Sequence, residues 1–281
     1  MNSKSKRIIK EFFRYLIIIF AAFWMVLPFF WMVSSSLMTP QEITSIPPKW
    51  IPEKPQWHNY IDVLKRVPIG KYYLNSLLVA GTATIGVILT SSLAGYAFAK
   101  LHFPGKKPVF QFILVTMMFP VFIFLIPNFF LMKTFGMLTN HLSLIVPFLV
   151  SGYGIFLLRQ FIMSIPDELL DSARIDGASE FKIYRSIILP NIKPGLSALA
   201  ITTFIGQWNN FLWPMIISSF SPNLMTVPVG IQRLALAFAS AETQHLVLTG
   251  LVYQVVPMLI VFVYFQKNFI KGFVVSGFGN I

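Results

Sequence analysis

The sequence predicts an all-α polytopic membrane protein with six transmembrane helices and two short helices in the connection between the fourth and fifth. Three observations carry this reading. Only 11% of the 281 residues are charged and 56% are hydrophobic, whereas soluble domains carry about a quarter charged residues. Charge-poor runs that approach or exceed the roughly 20 residues needed to cross a bilayer recur along the chain. The basic residues are spread unevenly over the two sides that six crossings create.

Taken in order, residues 1–14 form a basic head with Lys4, Lys6, Arg7, Lys10 and Arg14. Residues 15–41 carry no charge and read as a first, uncleaved span: a signal peptide has an apolar core of only about 7–15 residues and a small-residue cleavage site. Residues 38–71 are broken by Pro40, Pro47, Pro48, Pro52, Pro55 and Pro68 and read as an external loop with little regular structure, Trp50 and Trp57 serving as interfacial anchors. Residues 72–99 make the second span. Ala83, Gly86, Thr90, Ala94 and Ala97 give it a narrow small-residue face for close helix packing.

The third span, 108–132, is expected to kink near Pro120 and Pro127. The fourth, 142–163, contains Pro147 and Ser151-Gly152-Tyr153-Gly154, with Arg159 near its inner end and able to snorkel toward headgroups. The fifth starts near Gly195, and Gly195, Ala198, Thr202, Gly206, Asn209 or Asn210, and Trp213 share a face. An outer loop, 219–243, holds Pro222, Pro228, Arg233 and Glu242. The sixth span, about 244–266, carries Gln254 and Pro257, and a tail begins at Lys267. The organisation is thus a head (1–14), one transmembrane domain (15–266) and a tail (267–281).

Fifteen basic residues fall on the side of the termini and seven on the other. Basic residues favour the cytoplasmic side, so both termini are expected there. The net charge of +12 is then a topology signal, and nucleic-acid binding is excluded as its explanation.

Pro166–Pro190 is the longest highly charged run. Pro166 suits the first turn of a helix, and Asp167, Glu168 and Asp171 suit its positive end. Gly177 ends that helix as a left-handed C-cap. Ser179 can cap a second one that places Phe181, Tyr184 and Ile188 on one side. Two amphipathic helices around a glycine elbow read as a docking surface.

No catalytic or metal site is expected. There is no GxxxxGK[ST] phosphate loop, cysteine is absent, and the four histidines are scattered. No intramembrane carboxylate is available as an ion relay, which argues against a coupled secondary carrier. The remaining polar groups are Gln207-Trp208-Asn209-Asn210-Phe211 in the fifth span and Gln254 in the sixth. They serve either a translocation path, with Gln207, Trp208, Asn209, Asn210 and Gln254 meeting solute, or interhelical hydrogen bonding or an interfacial position near the outer leaflet.

The charged run resembles the coupling loop of ABC-importer permeases, whose pattern is Glu-Ala-Ala, three residues, Gly, nine residues, Ile, one residue, Leu-Pro. Asp171-Ser172-Ala173, Gly177, Ile187 and Leu189-Pro190 match its spacing, with Asp for Glu and Ser for Ala. Further features resemble the carbohydrate branch, specifically its smaller maltose-type permease. They are Ser36-Leu37-Met38 through Pro52 before Asn59-Tyr60, Asn75-Ser76, Ala94-Gly95-Tyr96-Ala97, Phe103-Pro104-Gly105, the 154–160 stretch, and Trp208-Asn209-Asn210-Phe211-Leu212-Trp213-Pro214. Asn210 replaces the usual acid, and Ser276-Gly277-Phe278-Gly279-Asn280 replaces the usual Gly-Ala-Val-Lys-Gly.

The resemblance implies a type I importer permease fold in a prokaryotic cell membrane. It implies a coupling loop over 164–195 in which Glu168, Asp171, Ser172, Ala173, Asp176, Gly177, Ala178, Ile187, Leu189 and Pro190 meet an ATPase. The implied partners are a second related permease, two ATPase copies and an external solute-binding protein. ATP and Mg would sit on the ATPase, with no cofactor on this chain, and the outer loop between spans five and six would reach into the binding protein. The implied cargo is a sugar or oligosaccharide. A peptide, amino acid or sugar phosphate on the same architecture, and a self-sufficient channel or carrier, stand as alternatives.

Overall fold

The computed structural model describes residues 3–237, 240 and 243–277, and the regular structure among them is helical throughout. Glu242 and the tail residues Phe278, Gly279 and Asn280 lie outside the described residues. Helix α1 (Ser3–Ser36) begins within the basic head, which therefore forms the first turns of the first span helix. The proline-rich stretch after it is more regular than its composition suggests. It holds α2 (Pro40–Ile43) and α3 (His58–Arg66).

Helix α2 exists because of a reciprocal cap. Thr39 Oγ1 accepts from Glu42 N at 3.3 Å, and the Glu42 carboxylate accepts from Thr39 N at 2.8 Å. Glu42 also accepts from Glu53 N at 2.8 Å, pinning the loop back on itself. Burial alone would raise its carboxyl, but the backbone N–H groups of Thr39 and Glu53 outweigh it and hold it below the ordinary glutamate value.

Helix α4 (Ile69–Lys100) is unbroken for 32 residues, about 48 Å at the α-helical rise. The next crossing is broken. Helix α5 (Lys106–Thr116) is followed by a 3₁₀ turn (Val121–Phe124) and α6 (Leu125–Thr134), with a 98° bend between α5 and the rest. Pro120 marks that break. Pro127 falls in the first turn of α6, where a missing N–H costs nothing. Helix α7 (Leu142–Ile145) and the 3₁₀ turn Val146–Phe148 lead through a 45° bend to α8 (Gly152–Met163).

Then come α9 (Asp167–Ile175), α10 (Glu180–Ile183), a π turn (Tyr184–Ile188), α11 (Leu189–Asn191) and α12 (Lys193–Trp208). A 77° bend separates residues 180–191 from α12. Helix α12 ends at the amide run rather than continuing through it. Asn209 is its C-cap, and α13 (Leu212–Ser218) follows. The stretch read as an outer loop over 219–243 folds into a 3₁₀ turn (Pro222–Leu224) and the apolar helix α14 (Val227–Ala237). Helix α15 (Gln244–Gly277) is the last described element, with Pro257 inside it.

Among the described residues, three single helices are long and apolar enough to cross a membrane: Lys10–Ser36, Ile69–Lys100 and Gln244–Tyr264. The count reaches six when each of the three bent pairs is one crossing.

The chain divides into two compact units, 1–69 with 231–256 and 70–230 with 257–281. In the first, Trp31 and Trp50 meet edge to face at 4.9 Å, so Trp50 is held against α1. Thr249 Oγ1 donates to Ser36 O at 3.1 Å, and Asn59 Nδ2 donates to Ser36 O and Met38 O.

In the second unit α4 is the spine. It places Val79, Val87 and Tyr96 in three successive apolar clusters. Val79 meets Leu144, Trp213 and Ile217; Val87 meets Leu158 and Leu199; Tyr96 meets Ile162, Ile165 and Ile183. The small-residue face has its expected packing role. A Cβ on Gly86 would lie 2.4 Å from Leu149 Cδ2, and Thr90 Oγ1 donates to Leu149 O at 2.8 Å. Arg159 finds partners on two other helices. Its guanidinium lies 4.3 Å over the Phe110 ring, and its Nε donates to Phe98 O at 3.1 Å.

A Cβ added at Gly154 would sit 2.4 Å from Ser91 Oγ, whereas one at Gly81 meets nothing within 4 Å. Gly154→Ala is therefore expected to cost about 1–3 kcal/mol through overpacking, and Gly81→Ala to cost nothing. Thermal unfolding of the two variants in detergent checks this.

Candidate coupling loop and solute path

The elbow forms as the residue types dictate. Pro166 is the N-cap of α9 rather than its first residue, with Asp167 and Glu168 in the first turn. At the other end Gly177 takes φ +76°. Its N–H donates to Arg174 O at 3.0 Å, and that of Ala178 to Ala173 O at 2.9 Å. These two bonds complete a Schellman C-cap, which only a residue tolerant of the left-handed region closes cheaply. Ser179 Oγ accepts from Lys182 N at 3.3 Å and opens α10.

The second half departs from the expected face. The π turn Tyr184–Ile188 puts an extra residue into the helical repeat. Ile183, Tyr184 and Ile188 face inward with Leu170, while Phe181 is 67% exposed. Ala173, Ala178, Ile187 and Leu189 pack partly buried against the same cluster. Asn191 Nδ2 donates to Ile187 O at 2.7 Å beside Pro190. Glu168, Asp171, Ser172, Asp176 and Gly177 are exposed. The outward surface thus carries mixed charge, with Lys182 and Arg185 exposed beside the acids, and apolar points at Leu169, Phe181 and Ile175, the last 86% exposed.

Charges lock the elbow. Arg174 donates to Asp171 Oδ1 at 2.9 Å and, across the glycine, to Glu180 Oε1 at 2.9 Å. Asp171, though one methylene shorter than Glu, thus still reaches a cation. Glu180 also accepts from the Tyr96 hydroxyl of α4, and Lys100 Nζ donates to Asp167 Oδ1 at 2.6 Å and to Ile165 O. The hydrogen bonds from Arg174 and then Tyr96 hold the Glu180 carboxyl below the ordinary glutamate value. Lys100 does the same for Asp167. Sequence reasoning did not connect Ser92, Tyr96 and Lys100 to this loop. Their spacing of four on one helix was the available signal.

The polar groups of the solute-path expectation separate into different roles. A cavity of about 270 Å³ is lined by Val87, Phe148, Val150, Ser151, Tyr153, Thr202, Thr203, Gly206 and Gln207. Its lining carries hydroxyls, one amide and two aromatic rings, and no charge. Asn210 Nδ2 donates to Gln207 Oε1 at 3.4 Å, and Asn209 Nδ2 points to Met258 Sδ at 3.2 Å. Trp208 is 1% exposed, stacked on Phe204 at 6.0 Å and tilted against Tyr73 at 5.8 Å. Gln254, half-buried, belongs to the other compact unit. Among the described residues no cluster of His, Asp and Glu could hold a metal ion.

Residues 86–274 match the family described as binding-protein-dependent transport system inner membrane component. The chain is 35% identical over 207 residues to the arabinooligosaccharides transport system permease protein AraQ of Bacillus subtilis (strain 168), covering 74% of this chain and 73% of that one. It is 34% identical over 242 residues to the sn-glycerol-3-phosphate transport system permease protein UgpE of Pectobacterium atrosepticum, covering 84% and 86%. It is 32% identical over 258 residues to the diacetylchitobiose uptake system permease protein NgcG of Streptomyces coelicolor, covering 90% and 83%. A chain in the crystal structure of a bacterial ABC transporter involved in the import of the acidic polysaccharide alginate shares the fold. Its TM-score is 0.81 at 23% identity, over 95% of this chain and 98% of that one.

The lowered carboxyls set a direction for acid. Glu180 contributes fully to elbow order above the ordinary glutamate range, and that contribution disappears as pH falls through its depressed value. A spin label at Arg185 is expected to stay restricted from neutrality down to that range and to gain mobility only below it. Arg174→Ala is expected to speed amide exchange in α10 at constant pH, on the scale of about 0.2–1 kcal/mol for exposed pairs.

Proposed function

Because the chain belongs to the binding-protein-dependent transport system inner membrane components, we propose that it is the permease subunit of an ATP-driven importer of a neutral sugar or oligosaccharide. It is a transport permease and not itself an enzyme. The observation that carries the solute class is the uncharged cavity at the broken fourth crossing. Hydroxyls of Ser151, Tyr153, Thr202 and Thr203 and the amide of Gln207 suit sugar hydroxyls, and the Phe148 and Tyr153 rings suit the apolar face of a pyranose or furanose. Its volume of about 270 Å³ lies just below the range of small-molecule sites, about 300–1,000 Å³, which fits one ring at most. Relatives named for arabinooligosaccharides and diacetylchitobiose support this reading.

A second reading, a sugar phosphate, is favoured by the relative named for sn-glycerol-3-phosphate. The cavity lining offers no cation to such an anion. Binding measurements on the cognate solute-binding protein separate the two.

In this reading the termini and the elbow are cytoplasmic, and ATP with its Mg is held by the partner ATPase. Leu169, Ile175 and Phe181 enter an apolar cleft of that ATPase, while Glu168, Asp171 and Asp176 meet its rim. Ser172, Ala173, Gly177 and Ala178 shape the surface, and Ile187, Leu189 and Pro190 carry its motion toward α12. Gln207 faces the solute, Asn210 holds the Gln207 amide, and Trp208 supports the helix end they stand on. A second permease, two ATPase copies and an external binding protein complete the machine. The most apolar 18-residue window within Lys10–Ser36 buries none of its residues, leaving that surface for lipid and the second permease.

Gly177→Pro, incompatible with φ +76°, and Asp171→Arg are both expected to release the ATPase from membranes while the chain still inserts. Pull-down of ATPase on the tagged chain is the measurement, and undiminished capture argues against the coupling role. Solute flux through this chain alone in liposomes, without ATP, would overturn the importer reading.

A further inference from the structure

Three side chains of α4 spaced four apart, Ser92, Tyr96 and Lys100, each reach a different part of the elbow. Ser92 Oγ and the Tyr184 hydroxyl lie 2.7 Å apart at the π turn, both residues buried. The Tyr96 hydroxyl donates to Glu180 in the first turn of α10. Lys100, whose side chain is only 7% exposed, donates to Asp167 and Ile165 O at the start of α9. Glu180 and Asp171 then share Arg174, so the two halves of the elbow are also tied to each other.

By contrast, the elbow joins α12 through a 77° bend. Farther along α4, Thr90 Oγ1 donates to Leu149 O beside the break of the fourth crossing, and Val87 lines the uncharged cavity with Val150 and Ser151. One straight helix therefore touches the elbow at three rungs and the cavity wall at its middle.

We propose that α4 is the lever of the transporter: the Ser92–Tyr96–Lys100 rungs clasp the elbow so that it and α4 move as one body, with Tyr96 the positioning residue that holds both halves in register. The inference rests on the coupling role given above. A load on Ile175 and Phe181 then reaches the wall of the solute cavity through α4 directly, without first straightening the bend before α12. The Ala94-Gly95-Tyr96-Ala97 motif acquires a reason. Gly95 lets α4 approach the Arg159 backbone, where a Cβ would lie 3.1 Å from its nitrogen, and that approach brings Tyr96 to Glu180.

The chain has no cysteine, so spin labels at Leu93→Cys on α4 and Ser186→Cys on the π turn, in a complex whose other subunits have had their cysteines replaced, report this unit alone. The complex is purified through a tag on the full chain and measured nucleotide-free and trapped with ATP and vanadate. The expected result is one narrow distance peak, unchanged between the two states. Tyr96→Phe is expected to lose that narrow peak and make the distance nucleotide-dependent, while Glu180→Gln, still able to accept from the phenol, keeps it. A shift of the peak between states in the unaltered clasp overturns the proposal. So does a Tyr96→Phe complex that captures ATPase and keeps the narrow, unchanged peak, and that result leaves the importer reading standing. If no nucleotide-hydrolysing subunit accompanies the unaltered chain, both fall.

Discussion

Close approach of helix backbones along α4 is the constraint on which the rest of the central unit depends. Inside a bilayer, apolar side chains gain nothing by leaving lipid for protein, so helices associate through tight packing and interhelical hydrogen bonds. Small residues make that possible here. Gly154 stands against Ser91, Gly95 against the Arg159 backbone, and Gly86 leaves room for Leu149. With the backbones this near, the Thr90 hydroxyl finds the Leu149 carbonyl freed at the helix break.

That packing also fixes what the elbow can be. Its inner side adds Leu170, Ile183, Tyr184 and Ile188 to a cluster that already contains Tyr96, Ile162 and Ile165. Once those apolar groups are inside, the polar atoms around them need partners, because a buried donor or acceptor left alone is costly. Ser92, Tyr96 and Lys100 supply them. The outward side keeps charges of both signs and three apolar points, a composition that suits a protein cleft better than lipid or open water.

Much of this was legible in the residues. The C-cap at Gly177, the cap at Ser179 and the acidic first turn of α9 all follow from local chemistry, and each is found. The Thr39-to-Glu42 cap was equally available, yet the prolines around it obscured two short helices. Over 219–243 the prolines and polar residues suggested a loop, but Pro228 lies in the first turn of α14, where it is tolerated. Phe181 was misplaced for a different reason. Regular helical spacing turns it inward with Tyr184, whereas the π turn shifts the inward set to Ile183, Tyr184 and Ile188. For Arg159, length and charge suggested snorkelling but could not name its protein partners. The Phe110 ring that holds it belongs to a different helix.

Composition, spacing and local caps were enough to specify a helical membrane protein, its main breaks and the two-helix elbow with its glycine; the permease reading came from the resemblance of its motifs. These depend on solvent, backbone dihedrals and neighbours within a few residues, all of which a linear chain carries. Which side chains grip the elbow was decided only by the tertiary structure. The pairs Ser92 with Tyr184, Tyr96 with Glu180 and Lys100 with Asp167 join residues 92, 84 and 67 positions apart. The same holds for the division of the amides, with Gln207 at the cavity, Asn209 against Met258, and Trp208 sealed under two rings. A hydrogen bond needs its partner within about 3 Å, and for groups so distant along the chain only the packed helices determine that separation.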